Sequence, residues 1–194
     1  MKQIEYTPAG YWDRRYREGR TSGAGSEGEE GRYKAQYVSD FIRDHVVTSV
    51  IDHGCGDGQV LKLIDLHDAR YTGVDVSPTI VSRMRRQFPA LKFLHVDDTS
   101  SNWYHDLSLS MDVLFHLPSD DDYREYINRL FGTATKYVLI YSTNEPIGRT
   151  ARHVFRREFT RDIAMMLGDA WQLVHAEPPL REGLASFFVY ERIA

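Results

Sequence analysis

Nine consecutive residues, Val50-Ile51-Asp52-His53-Gly54-Cys55-Gly56-Asp57-Gly58, constrain the fold of this chain more than any other stretch. A short β-branched run, Ser49 to Asp52, ends at an acid and gives way to glycines at alternate positions. Such runs favour a buried strand. Glycine is needed where the backbone turns sharply or approaches a ligand with no Cβ in the way. Val60, Leu61 and Ile64 follow at helical spacing, so the segment reads as strand, glycine turn and helix. A helix starting there would add unpaired N–H groups and a partial positive charge at the turn.

The same alternation continues. Tyr71 to Val76, Leu91 to Val96, Leu107 to Met111 and Tyr137 to Ser142 read as four more strands. Between them, Ser77 and Pro78 form a helix start before Ile80, Val81, Met84 and Phe88. Tyr123, Ile127, Leu130 and Phe131 mark a helix ending at Gly132, and Ile163, Met166 and Leu167 another. Trp171 to His175 and Ser186 to Ile193 are two last strands joined by a Pro/Gly-containing turn. Ahead of all these, Tyr11, Trp12 and Tyr16 suggest a short helix. Gly19 to Gly31 reads as a mobile Gly/Ser/Glu loop, and Tyr37, Val38, Phe41 and Ile42 predict a helix over Gly31 to Asp44.

Strands alternating with helices imply a mainly parallel sheet covered on both faces. The final strands have no helix between them and so run antiparallel at one edge. The expected fold class is therefore α/β, a doubly wound, Rossmann-like seven-stranded sheet. At 194 residues, 42% of them hydrophobic, the chain is expected to be a single domain. A mean hydropathy of −0.46 and the lack of a long apolar run exclude a membrane-spanning protein, and Met1 to Arg20 lacks the apolar core of an export signal. Cys55 is the only cysteine, which excludes an intrachain disulfide and argues against a zinc–thiolate cluster, so no metal is expected. These features fit a cytoplasmic protein. The net charge of −4 lacks the basic surplus of a protein that grips many phosphates, which argues against nucleic acid as the partner.

Asp75 lies ~20 residues beyond the first glycine, at the end of the second strand, where a carboxylate accepts hydrogen bonds from both hydroxyls of a ribose. A dinucleotide fingerprint needs its third glycine one residue later, where Gln59 stands. The tighter spacing suits a ligand with no diphosphate.

The run VIDHGCGDG resembles the first motif of the class I S-adenosylmethionine-dependent methyltransferases. YTGVDVSP, FLHVDD and DLSLSMDVLFHL (Asp106 to Leu117) match later motifs of that family in order and spacing, so the resemblance spans Ser49 to Ser142. It implies S-adenosyl-L-methionine as cofactor. Gly54, Cys55, Gly56 and Gly58 would shape the turn beneath the methionine portion. Asp52 and the Ser110 carbonyl would hold its ammonium group, Asp75 would bind the ribose, and Val76 would pack on the adenine. Asp97, or alternatively Asp98, would accept from the adenine amino group. Residues 1–45 would form an N-terminal helical lid, with Trp12, Arg15 and Gly25 in it, and residues 46–194 the cofactor-binding core.

Methyl transfer asks the protein mainly to align an acceptor and exclude water, but a hydroxyl or ammonium acceptor must also lose a proton. His116, just after the fourth strand, and His153 are the candidate bases. Arg149, Arg152, Arg156 and Arg157 surround His153 on an extended link after the fifth strand and suit an anionic acceptor. The expected acceptor is a small molecule or glycan, methylated at oxygen or nitrogen. Two other readings stay open: a methyltransferase acting on nucleic acid through those arginines, and a binding module without turnover.

Overall fold

The computed structural model describes residues 6–98, 103–179 and 185–193. The chain divides into two compact units, Met1–Ser100 and Ser101–Ala194.

The first unit contains α1 (Pro8–Arg17), α2 (Gly28–Asp44), β1 (Ser49–His53), β2 (Arg70–Asp75), α3 (Pro78–Gln87) and β3 (Lys92–His95). Its strands lie in the order β3-β2-β1, all parallel, with Ser49 opposite Arg70 and Asp75 opposite His95. Every residue of β1 is buried, as a parallel strand covered on both faces requires. The start of α3 is as expected: Ser77 accepts from the Ile80 N–H, Pro78 opens the helix, and Ile80, Val81 and Met84 are buried. The stretch Gly19 to Gly31 is less loop-like than expected. It holds a 3₁₀ turn, Ala24–Ser26, and α2 begins three residues before Gly31.

One predicted helix is absent. After the glycine turn there is a single 3₁₀ turn, Leu61–Leu63, and Ile64 is already extended. Residues 59–69 must retrace the length of β1 before β2 begins. An α-helix rises only ~1.5 Å per residue against ~3.3 Å for extended chain, so it would consume the segment and leave nothing for a return turn. That return is tight: His67 and Asp68 both have left-handed φ, and Ser39 Oγ on α2 accepts from the Asp65 N–H at 2.9 Å.

The second unit contains β4 (His105–Met111), α4 (Asp120–Gly132), β5 (Ala134–Ser142), the hairpin β6 (Gly148–Ala151) and β7 (Val154–Arg156), α5 (Phe159–Leu167), β8 (Trp171–Ala176) and β9 (Ser186–Arg192). β4 and β5 are parallel, while β9 runs antiparallel to both β5 and the edge strand β8. Residues 180–184 of the predicted final turn lie outside the described residues. The core packs Leu130, Phe131, Val138, Ile140, Phe159, Ile163 and Phe188 around α4, α5 and β5. The link expected to be extended between the fifth strand and its helix is the β6–β7 hairpin. Together the strands of both units form a seven-stranded, mainly parallel sheet flanked by helices. Among the described residues no helix is long and apolar enough to cross a membrane.

Candidate active site

The glycine turn in the first unit is held by β2. The N–H groups of Gly54 and Cys55 both donate to the Val74 carbonyl, at 2.7 and 3.1 Å. Gly54, Gly56 and Gly58 all have left-handed φ. At Gly56 a Cβ would also stand 2.5 Å from Ser22 Oγ, and at Gly58 it would overlap the Met84 methyl. The alternate glycines thus serve both the turn and its close packing. No α-helix follows, so no helix terminus points at the turn, and the N–H groups of Gly54, Cys55, Gly56 and Asp57 are all bonded within the fold.

Two buried carboxylates flank the turn. Asp75 accepts from the Gly56 N–H on Oδ2 at 3.1 Å and from the Ser77 N–H on Oδ1 at 2.9 Å. A carboxylate offers about four lone-pair sites, so both oxygens retain capacity for ribose hydroxyls. Asp52 Oδ2 accepts from the Tyr71 hydroxyl at 2.8 Å. Its Oδ1 is buried with no partner among the described residues, an unmet acceptor suited to an ammonium group. Burial pushes both carboxyls up to about 6. The Tyr71 hydrogen bond opposes this at Asp52, and the Ser77 and Gly56 N–H groups oppose it at Asp75. The unmet Asp52 oxygen and the spare lone pairs of Asp75 fit an adenosyl amino acid.

The N-terminal segment is fastened to this turn. Ser22 N–H donates to Asp57 Oδ2 at 2.9 Å, and Asp57 N–H donates to Ser22 Oγ at 3.1 Å. Tyr16, buried on α1, shares a hydrogen bond with Ser22 at 3.0 Å. Asp13 accepts from Ser77 Oγ and the Thr79 N–H at the start of α3, and Arg83 donates to the Tyr16 carbonyl. Of the expected lid residues, Trp12 stacks on Tyr16 with ring centroids 5.9 Å apart, Arg15 lies over Trp12 and bonds the Thr21 carbonyl, and Gly25 is in the 3₁₀ turn. Val76 is half-buried, and its carbonyl accepts from His95 Nε2 at 3.0 Å. Asp97 and Asp98 are exposed on a 3₁₀ turn, with the Asp97 carboxylate 3.4 Å from His95 Nδ1. Sequence reasoning did not foresee the Ser22–Asp57 and Tyr71–Asp52 bonds, whose partners are 35 and 19 positions apart.

In the second unit, Ser110 is fully buried on β4, and its hydroxyl accepts from Tyr126 at 2.7 Å. His116 ends a 3₁₀ turn, Leu114–His116. Its Nδ1 lies 2.9 Å from the His153 carbonyl, and the two rings stack with centroids 5.4 Å apart and planes 12° from parallel. The two candidate bases are therefore neighbours. Since a carbonyl can only accept, Nδ1 carries the proton, and in the neutral ring Nε2 is the acceptor.

The arginines divide by role. Arg157, with 10% side-chain exposure, is sandwiched between the Tyr123 and Phe155 rings. It donates to the Leu117 and Pro118 carbonyls and pairs with Asp120 at 2.6 Å. Arg149 bonds the Arg152 carbonyl across the hairpin, and Arg156 pairs with Glu145 at 3.7 Å. Beside them, a cavity of about 570 Å³ is bounded by α4, α5 and β7, with Phe155, Arg156, Arg161 and Met166 in its wall.

Comparison with known proteins agrees with this fold. Residues 50–135 match the family profile described as a methyltransferase domain. Magnesium protoporphyrin IX methyltransferase from Synechocystis PCC 6803, solved with bound SAH, is similar in structure, with a TM-score of 0.70 at 17% identity over 95% of this chain and 98% of that one. NodS, an N-methyltransferase from Bradyrhizobium japonicum WM9 solved with S-adenosylhomocysteine, superposes with a TM-score of 0.68 at 16% identity over 85% and 87%. The 1,6-didemethyltoxoflavin N1-methyltransferase of Burkholderia thailandensis gives 0.66 at 18% identity over 99% and 92%. No curated protein sequence matches the chain. The chain thus carries a methyltransferase domain at residues 50–135, on a sheet with the fold of these S-adenosyl-dependent methyltransferases.

Proposed function

We propose that this methyltransferase acts on a small-molecule or glycan-type acceptor that carries an anionic group, at an oxygen or nitrogen, with His116 as general base. The observation that carries the proposal is the bond from His116 Nδ1–H to the His153 carbonyl, which leaves Nε2 to receive a proton. When bound, S-adenosylmethionine supplies a methyl group already activated on a sulfonium. What remains for the protein is to bind, orient and deprotonate.

In this reading Asp52 and the Ser110 carbonyl hold the ammonium group, and Asp75 holds the ribose. Val76 packs on the adenine, and Asp97, or Asp98 in its place, takes the adenine amino group. Residues 1–45, with Trp12, Arg15 and Gly25, act as the lid that excludes water, and residues 46–194 as the core. The acceptor loses its proton to His116 Nε2 as the methyl arrives, and the His153 carbonyl stabilises the imidazolium through Nδ1–H. Arg149, Arg152 and Arg156 hold the acceptor's anionic group, and Arg157 fixes the hairpin that presents them.

The test is transfer of a labelled methyl group from S-adenosylmethionine into fractionated cell extract. Label in a low-molecular-weight or glycan fraction, lost with His116→Ala, is expected. Label confined to nucleic acid would overturn the acceptor class.

A further inference from the structure

Arg157 stands at the junction of three segments of the second unit. It follows β7 directly, and its guanidinium lies between two rings, Tyr123 of α4 at 4.5 Å and Phe155 of β7 at 4.2 Å. It donates to the Leu117 carbonyl at 2.9 Å, to the Pro118 carbonyl at 3.4 Å and to Asp120 at 2.6 Å. Leu117 and Pro118 come straight after His116, where the 3₁₀ turn Leu114–His116 ends, and Asp120 opens α4. The last carbonyls of a helical turn lack partners within it, and here a guanidinium from the hairpin supplies them. A planar fork with five donors can serve two carbonyls and a carboxylate while both its faces stack; an ammonium group cannot. His153 belongs to the turn between β6 and β7, on the same hairpin. The 2.9 Å from His116 Nδ1 to the His153 carbonyl therefore spans the two segments that Arg157 fastens together.

We propose that Arg157 is a positioning residue that selects the tautomer of His116. It bonds main-chain carbonyls and not the ring. By locking the His116 turn to the hairpin, it keeps the His153 carbonyl within reach of Nδ1. A neutral imidazole carries one proton, and the bond made by one nitrogen decides which of the two holds it. A histidine ring without a partner prefers the proton on Nε2, where it blocks the nitrogen that would receive the acceptor's proton. Held to the His153 carbonyl, the ring keeps its proton on Nδ1 and leaves Nε2 basic. The catalytic consequence rests on His116 as the general base, whereas the tautomer can be observed without any acceptor.

Nitrogen-15 correlation spectra of the imidazole rings, recorded where the rings are neutral, test the proposal. The His116 signals are those missing from His116→Gln. The unaltered protein should show His116 with its proton on Nδ1. Arg157→Met, which keeps the packing but no donor, should make the Nε2–H form the main one. Arg157→Lys keeps the charge without the fork and should shift the ring in the same direction. Val138→Ala, a truncation in the fully buried core of the same unit, should leave the tautomer unchanged. An unchanged Nδ1–H form in Arg157→Met would overturn the proposal while leaving His116 as the base. If Arg157→Met does not fold, the same result in Arg157→Lys overturns it. An equal shift in Val138→Ala would mean that Arg157 serves only stability, and would overturn it too. A proton on Nε2 in the unaltered protein would instead remove His116 as the base, and the proposal with it.

Discussion

Ser22 and Asp57 exchange two hydrogen bonds, each residue using its N–H to bond the other's side chain, at 2.9 and 3.1 Å. The contact ties the N-terminal segment to the glycine turn. Asp57→Ala leaves the Ser22 N–H without its partner and frees both segments. We expect a loss of about 1–3 kcal/mol in stability by urea unfolding, together with weaker S-adenosylhomocysteine binding. Binding as tight as in the unaltered protein would show that the segment is dispensable for the site.

Asp75→Ala should weaken S-adenosylhomocysteine by about 1.5–3 kcal/mol, as expected for two lost hydrogen bonds to a charged acceptor. The Gly56 and Ser77 N–H groups lose their acceptor in the same variant, so the melting temperature should fall as well. Calorimetry and thermal unfolding report the two effects separately. Unchanged affinity would place the ribose elsewhere.

Burial raises Asp52 and Asp75 to about 6 in the folded protein, against ~4 in an unfolded chain. Between those values the folded state holds more protons than the unfolded one, so these groups make stability fall as pH rises from about 4 to about 6. Affinity for S-adenosylmethionine should rise across the same window, because its ammonium group prefers an ionised Asp52. Asp52→Asn should flatten both trends in urea and calorimetric measurements. A variant with the same pH dependence as the unaltered protein would contradict the assignment.

His116→Ala should lower turnover by roughly 10²–10⁴-fold, less at high pH where the acceptor ionises unaided. The His116 Nδ1–H bonds the main-chain carbonyl of His153 and not its ring. His153→Ala should therefore cost much less, about tenfold at most. Single-turnover rates distinguish them, and a larger loss in His153→Ala would exchange the two roles.

Arg157→Ala removes a stacked, largely buried guanidinium with its Asp120 pair and two carbonyl partners. A loss of about 2–3 kcal/mol is expected. Arg152→Ala, at an exposed position, should stay within about 0.5 kcal/mol. Urea unfolding compares them, and equal stabilities would show that the stack contributes nothing.

How far the sequence reveals such features depends on the distance between partners. The glycine turn and Asp75 were readable because strand, turn and acid are each a local pattern. The missing helix was not. Val60, Leu61 and Ile64 suit a helix by spacing, and only the length that residues 59–69 must cover rejects it. The β6–β7 hairpin escaped because strands of four and three residues, none of them buried, show no alternation to read. The bonds of Ser22 to Asp57 and of Tyr71 to Asp52 gave no signal because a side chain's partner across the fold leaves no mark on its neighbours. His116 and His153 were both singled out, but their stacking depends on a hairpin that was not foreseen.

The fastening of α1 also bears on the order of events at the ribosome. Chains emerge N-terminus first, at about 5–20 residues per second, so α1 and Ser22 appear before the segments that hold them. Their partners Asp57, Ser77, Thr79 and Arg83 lie 35 to 67 positions further on. This earlier segment must wait for β1, β2 and the start of α3 before it has anything to hold. A nascent chain cut short before Ser77 would carry the glycine turn and Asp57 but lack the anchor that α1 finds at the start of α3.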